Sequence, residues 1–277
     1  MTKWRIFKKI TLLLLFLAIL SCNNMIWIKN RIKYADNLVK NTQFIPKNIE
    51  TSHFYLFSYQ KFNNLQNKVL NIYIEGDGLA WRSRNRLSKN PTPTNPVALK
   101  MALADNADNI IYIARPCQYI DFKNDKNCQN RQYWSQARFS KEVVKSINDA
   151  IDKIKKNHDF KKVNLYGFSG GGGLAVLVAS LRDDVVSIKT IAANLNHKKI
   201  GEIHQATPLS LSLDPVDFIS DIAHIKQLHI AGGSDKIVLD YVIRDFVDQV
   251  NNYSKSNKAQ FKLIKEADHE YKKWPEI

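Results

Sequence analysis

The sequence is poor in glycine, with ten in 277 residues where average usage would give about nineteen. Cysteine and methionine are rarer still, at three each. No apolar run approaches the roughly twenty residues that span a bilayer, which excludes a polytopic membrane protein. Periodic glycine is missing, so the chain is not collagen-like, and neither a zinc-type cysteine cluster nor an HExxH helix is present. No run of basic residues exceeds two, although the formal net charge is +15 and the isoelectric point about 9.6. The densest basic stretches, Arg82–Lys89 and Lys153–Lys162, lack the interleaved aromatics of a single-strand binder. No zinc-finger or RNP-like motif appears, so no nucleic-acid partner is expected. What is present is 44% apolar and 24% charged residues, enough for a real core in one large domain or two small ones and too apolar for disorder.

The scarce glycines are clustered. Nine of the ten fall in three places: Gly76 and Gly78, Gly167 with Gly170–Gly173, and Gly232 with Gly233. A chain that otherwise avoids glycine marks with it the backbone that needs positive φ or close approach. Functional loops are expected there.

The first 22 residues read as a targeting segment. Lys3, Arg5, Lys8 and Lys9 precede the apolar run Ile10–Leu20, which is too short to span a bilayer and suits a signal-peptide core. Ile19-Leu20-Ser21-Cys22 follows, and it resembles the lipobox of bacterial lipoproteins, in which the cysteine becomes the lipidated N-terminus. That resemblance implies a lipoprotein of the bacterial cell envelope, membrane-anchored through Cys22, with its folded domain in the periplasm. An uncleaved anchor running on through Met25, Ile26 and Ile28 is the alternative, opposed by Asn23 and Asn24; ordinary secretion is another. Cleavage would remove four basic residues and no acid, taking the formal charge from +15 to +11. Cys117 and Cys128 remain, and export to an oxidising compartment makes a disulfide between them the natural reading, two unpaired thiols the other.

Residues 23–52 read as a polar tether plus a first short N-terminal segment, and from about residue 53 strands alternate with helices to the end at 277. Strand-like runs are Phe54–Tyr59, Val69–Glu75, Ile110–Ala114, Val163–Tyr166, Ile188–Ala193, Leu228–Ala231 and Phe261–Ile264. Most are unbroken apolar runs, as expected of strands buried on both faces. Phe139–Ile154 carries a helical stripe of Val143, Val144, Ile147, Ile151 and Ile154, Val238–Val250 carries another, and Leu174–Leu181 is apolar all round. The pattern predicts an α/β fold with a mostly parallel central sheet, helices on both faces and no large cap domain. The irregular stretch Arg115–Ser140 is expected to cover one end of the sheet.

The strongest local signal is Gly167-Phe168-Ser169-Gly170-Gly171, G-x-S-x-G between a buried strand and an apolar helix. This is the context of a nucleophile elbow, where small neighbours let the chain turn sharply and the helix N-terminus faces the reacting oxygen. A phosphate loop would need Lys-Ser/Thr where Leu174-Ala175 stand; a plain structural turn is the bland alternative. A serine nucleophile needs a base held by an acid, in the order Ser, acid, His. Among His197, His204, His224, His229 and His269, only His269 follows the last strand in a short loop. Asp235 follows the strand–glycine turn at Gly232-Gly233 and is the expected acid; a cap for a helix starting near Val238 is the alternative, and Asp214 and Asp268 are weaker candidates for the acid. The oxyanion hole is expected from the Gly170 N–H together with the turn Glu75-Gly76-Asp77-Gly78, with Asp77 the preferred second donor and Gly78 the next. Read instead as a dinucleotide fingerprint, that turn has Trp81 where close packing needs glycine. Glu75, Asp77 and the Arg82–Lys89 stretch are expected to line the entrance.

These motifs, in this order, resemble the α/β-hydrolase family over residues 54–277, and most nearly small envelope-associated hydrolases that join a lipobox to this fold. Ile74-Glu75-Gly76-Asp77-Gly78, Arg115-Pro116-Cys117 and Ser212-Leu213-Asp214-Pro215 contribute to the likeness. Asn196 departs from it, standing where an aspartate is expected. The resemblance implies a cofactor-free serine hydrolase of small-molecule or lipid acyl substrates, esters foremost. A non-catalytic envelope-anchored binding protein on the same scaffold is the competing expectation.

Overall fold

The computed structural model describes residues 27–272 and Trp274. The leader and Cys22 lie outside the described residues. Ten strands and seven α-helices follow in order. A helix α1 occupies 27–39, then β1 (Ile45–Glu50), β2 (Tyr55–Phe62), β3 (Val69–Ile74) and a small hairpin of β4 (Trp81–Ser83) and β5 (Arg86–Leu87). Next come α2 (Val97–Ala104), β6 (Asn109–Ile113), α3 (Lys141–His158), β7 (Lys162–Phe168), α4 (Gly170–Ala179) and β8 (Val185–Ile191). The chain ends with α5 (His197–Ile203), α6 (Ile219–Ile222), β9 (Lys226–Gly232), α7 (Asp240–Ser254) and β10 (Ala259–Ile264).

Eight strands form one sheet in the order β1-β2-β6-β3-β7-β8-β9-β10. From β6 to β10 all pairings are parallel, and β2 runs antiparallel to both its neighbours. The central strands β3 and β6 are apolar on both faces because both are covered. Leu70, Ile72 and Ile74 of β3, with Ile111 and Ile113 of β6, pack with α3, α4 and α7. Tyr73, Ile110 and Tyr112 point the other way, into a second cluster with α1 and α2. Helices therefore lie on both faces, and no cap domain is inserted. Among the described residues no helix is long and apolar enough to cross a membrane.

Three regions differ from the sequence reading. The polar stretch taken as a tether is part of the domain: Ala35, Val39, Phe44 and Ile49 are buried, and the Tyr59 hydroxyl donates to Asp36 Oδ1 at 2.6 Å. Strand β1 escaped notice because it is an edge strand with one buried side chain, Ile49, and it carries Pro46, which edges tolerate. Helix α2 also went unread. It has no side-chain N-cap and five of its eight residues are buried, so it lacks a polar stripe. Helix α4 begins four residues earlier than its apolar run, because all four consecutive glycines are helical.

The segment 115–140 covers the C-terminal ends of β3 and β6. Cys117 and Cys128 form a disulfide there, fully buried, with Cα atoms 5.2 Å apart. Side chains tie the segment down over long sequence separations. Trp134 Nε1 donates to Ser88 O beyond the hairpin at 3.2 Å, and Tyr119 N donates to Thr92 Oγ1 at 2.9 Å.

Candidate active site

Strand β7 ends at Phe168 and α4 begins at Gly170, so Ser169 alone makes the turn, with φ 51° and ψ −120°. A non-glycine residue held at positive φ costs of order 1–3 kcal/mol and persists only where its surroundings impose it. Here Ser169 N donates to Ile191 O at 2.9 Å, and Ser169 O accepts from Gly172 N and Asn194 N. The glycines on either side permit the turn. A Cβ on Gly167 would overlap the Gly171 carbonyl, and one on Gly171 would overlap the Ile74 carbonyl.

Three residues far apart in sequence meet at this turn. Ser169 Oγ lies 3.0 Å from His269 Nε2, and His269 Nδ1 lies 2.7 Å from Asp235 Oδ2. His269 stands in the loop after β10 and is 20% exposed; Asp235 follows β9 and its side chain is fully buried. The two carboxylate oxygens of Asp235 have different partners. Oδ2 faces the imidazole, while Oδ1 accepts from Ile237 N at 2.8 Å and Val238 N at 2.9 Å. These bonds hold the carboxylate in place independently of the histidine. They cap a turn rather than α7 itself, which starts at Asp240.

The other candidates have different occupations. Asp268 Oδ1 accepts from Glu270 N and Lys272 N, and its carbonyl accepts from Trp274 Nε1, so it shapes the His269 loop. Asp214 accepts from His197 N and Lys198 N at the start of α5. His229 is buried in the sheet between Thr190 and Gln227, and burial lowers its pKa to about 3. His197 is buried against Phe139 with its pKa also lowered by burial, and His224 follows the short helix α6. Asn196 caps α5, its Oδ1 accepting from Lys199 N at 2.9 Å. Among the described residues no group of three or more His, Cys, Asp or Glu is placed to hold a metal ion.

The turn after β3 runs alongside Ser169: a Cβ on Gly76 would lie 3.5 Å from Ser169 Cβ. Gly78 adopts φ +62° and abuts Pro91 and Gln118. Gly76 and Asp77 thus border the nucleophile more closely than Gly78. Side chains lock this turn, among them Gln118 and Arg138, for which the sequence carries no local signal. Buried Gln118 donates from Nε2 to Gly76 O at 2.9 Å, and its Oε1 accepts from Arg115 N at 3.1 Å. Glu75 Oε1 accepts from Gly76 N at 2.8 Å and from Ala98 N, at the start of α2, at 3.4 Å. Burial pushes the Glu75 pKa up to about 7, against those hydrogen bonds. The Asp77 carboxylate is paired with Arg115 Nη1 and lies 3.4 Å from Arg138 Nε. Burial acts to raise its pKa, but the two guanidiniums outweigh burial and hold it below the usual carboxylate value.

With strand order and site in view, solved structures share the architecture. The chain overlays an acylaminoacyl peptidase from Pyrococcus horikoshii with TM-score 0.60 and 11% identity, over 84% of this chain but only 39% of the peptidase. It overlays an esterase from Pyrococcus furiosus with TM-score 0.55 and 12% identity, covering 82% of each chain. A dienelactone hydrolase from Anabaena variabilis gives TM-score 0.53 and 13% identity, over 83% of this chain and 89% of that one. The chain has the α/β-hydrolase fold. No family model matches its sequence, and no curated protein matches it either. Within the α/β-hydrolase fold, Ser169, Asp235 and His269 occupy the ends of β7, β9 and β10, all at one edge of the sheet.

Proposed function

We propose that the protein is a serine hydrolase of acyl substrates, carboxylic esters foremost, working without a cofactor. The observation that carries this reading is the unbroken chain from Ser169 Oγ through His269 to Asp235, with gaps of 3.0 and 2.7 Å. Esterase and hydrolase neighbours of the same fold support it. A bare hydroxyl is a poor nucleophile; the imidazole makes it one by taking its proton during attack. Ser169 Oγ adds to the acyl carbonyl as His269 Nε2 accepts the proton. Nδ1–H donates to Asp235 Oδ2, which stabilises the imidazolium. The carbonyl oxygen becomes an oxyanion facing the N–H of Gly170 and the Asp77 turn, and each such donor contributes roughly 3 kcal/mol to the transition state. Collapse expels the alcohol, which takes the proton from Nε2, and water repeats the sequence on the acyl-enzyme to release the acid.

The test is covalent. A fluorophosphonate probe is expected to label the purified domain, and Ser169→Ala to abolish the label. A wild-type domain that is folded yet unlabelled overturns the proposal and favours a binding protein on this scaffold. The cellular part of the reading, a lipid on Cys22 holding the domain at the bacterial envelope, rests on the leader sequence. Cys22→Ser is expected to abolish metabolic labelling with palmitate, and persistent labelling refutes it.

A further inference from the structure

The structure has a cavity of about 480 Å³, within the usual range for small-molecule sites of roughly 300–1,000 Å³, that none of Ser169, Asp235 and His269 lines. Its walls include Trp81 and Arg84 of the β4–β5 hairpin, Arg138 of the covering segment, and His197, His204 and Thr207 in or just after α5. No carboxylate lines it among the described residues. Arg138 joins this cavity to the catalytic turn. Its Nε is buried without a hydrogen bond and lies 3.4 Å from Asp77 Oδ2. The Asp77 carboxylate stands so close over Gly170 that a Cβ there would overlap both it and Arg115 Nη1. The guanidinium at the cavity wall is therefore one side chain away from the residue following Ser169.

The charges around this point do not balance. Asp77 offers one negative charge to two guanidiniums, and Arg115 takes the shorter contact while its Nη2 donates to Arg138 O. The neighbouring carboxyl, Glu75, spends Oε1 on the backbone N–H groups of Gly76 and Ala98. Among the described residues neither Nη of Arg138 has an acceptor, although its side chain is only 17% exposed. Across the cavity Arg84 contributes a second cation, spending one Nη on His204 O at 3.3 Å. A half-buried guanidinium with free donors in a fixed fork is suited to a planar oxyanion, which it can bind through two parallel hydrogen bonds. Burial also makes such a contact stronger than it would be on an open surface.

We propose that this cavity selects anionic acyl substrates: esters bearing, a short spacer from the scissile carbonyl, a carboxylate or phosphate held by Arg138 and Arg84. The inference rests on the hydrolase reading for its catalytic consequence, but the anion site can be tested apart from it. Mono-p-nitrophenyl glutarate and its neutral methyl ester differ only in the distal charge. The wild-type domain is expected to favour the half-ester at least tenfold in kcat/KM, mainly through KM. Arg84→Gln is expected to cut that ratio at least threefold, and Arg138→Gln to abolish it. Because Arg138 also faces Asp77, its melting temperature is measured alongside. In Ser169→Ala, calorimetry with free glutarate and with methyl phosphate reads the anion site without turnover, and the tighter of the two identifies the oxyanion group.

Equal rates on charged and neutral esters by a protein that labels with fluorophosphonate overturn the inference and leave the hydrolase reading standing. So does an unchanged ratio in folded Arg84→Gln and Arg138→Gln. Glutarate or methyl phosphate binding that depends on Arg138, in a protein that never labels, does the reverse: the anion site stands and the hydrolase reading falls.

Discussion

The candidate site has two walls built in different ways. Ser169, Asp235 and His269 stand on turns at the ends of β7, β9 and β10, each placed by the strand before it, and two hydrogen bonds connect them. The opposite wall, made by Glu75, Asp77, Arg115, Gln118 and Arg138, depends on side chains reaching across 23 to 61 residues of sequence. One wall is positioned by the sheet and the other by a network laid over it. The first is therefore expected to be robust and the second to be the adjustable part, where substrate choice and environmental sensitivity reside.

The largest effects are expected on the wall placed by the sheet. Ser169→Ala removes the nucleophile and is expected to lower kcat by about four to six orders of magnitude, with melting temperature little changed. Asp235→Asn is expected to cost about 10⁴ in kcat, because the amide can donate to Nδ1 and leave the wrong tautomer facing Ser169. Its Oδ1 bonds to Ile237 N and Val238 N survive the change, so the protein should remain folded. Asp268→Asn touches only the His269 loop and is expected to cause a far smaller loss. Ester hydrolysis assays on these three variants check the assignment, and the opposite order between the two aspartates refutes it.

This wall was also the legible one. Ser169 and Asp235 each follow an apolar strand at a glycine turn, His269 stands in a short loop after the last strand, and the order along the chain supplies the rest. The parallel sheet was legible from its centre, since β3 and β6 are largely apolar and buried on two faces. The other wall was not. Glu75 and Asp77 could be placed near the entrance, and so could the Arg82–Lys89 stretch, of which Arg84 lines the cavity. Arg138 and Gln118 sit in an irregular segment without periodicity, and nothing local tells which distant carboxylate or carbonyl they reach. Strand β1 and helix α2 were lost likewise: their places come from tertiary burial of a few side chains, not from their own pattern.

A smaller effect should appear on the networked wall through Glu75. Its pKa in the folded protein is raised to about 7 by burial, from an ordinary value of 4.5. Between those values the unfolded chain has released a proton that the folded chain retains, so stability falls as pH rises and levels off above about pH 7. A shift of that size corresponds to roughly 3 kcal/mol. Chemical denaturation is expected to show the wild type losing more stability between pH 5 and pH 8 than Glu75→Gln, by up to that amount. Parallel curves for the two proteins would place the titration elsewhere.

The disulfide gives the smallest expected effect and the cleanest test of the two-wall description. Cys117–Cys128 closes a short loop, for which the chain-entropy estimate is about 3 kcal/mol. Cys117 is two residues from Arg115 and adjacent to Gln118, which pins Gly76, whereas Asp235 and His269 stand on the loops after β9 and β10. The double variant Cys117→Ser/Cys128→Ser is therefore expected to melt at lower temperature and, while folded, to label with fluorophosphonate at nearly the wild-type rate. Its preference for the glutarate half-ester over the methyl ester should fall, because Arg115 and the Asp77 turn lose their tether while Ser169 keeps its own. If labelling collapses together with that preference in protein that is still folded, the two walls are one cooperative unit, and the oxyanion turn rather than the triad is what the disulfide protects.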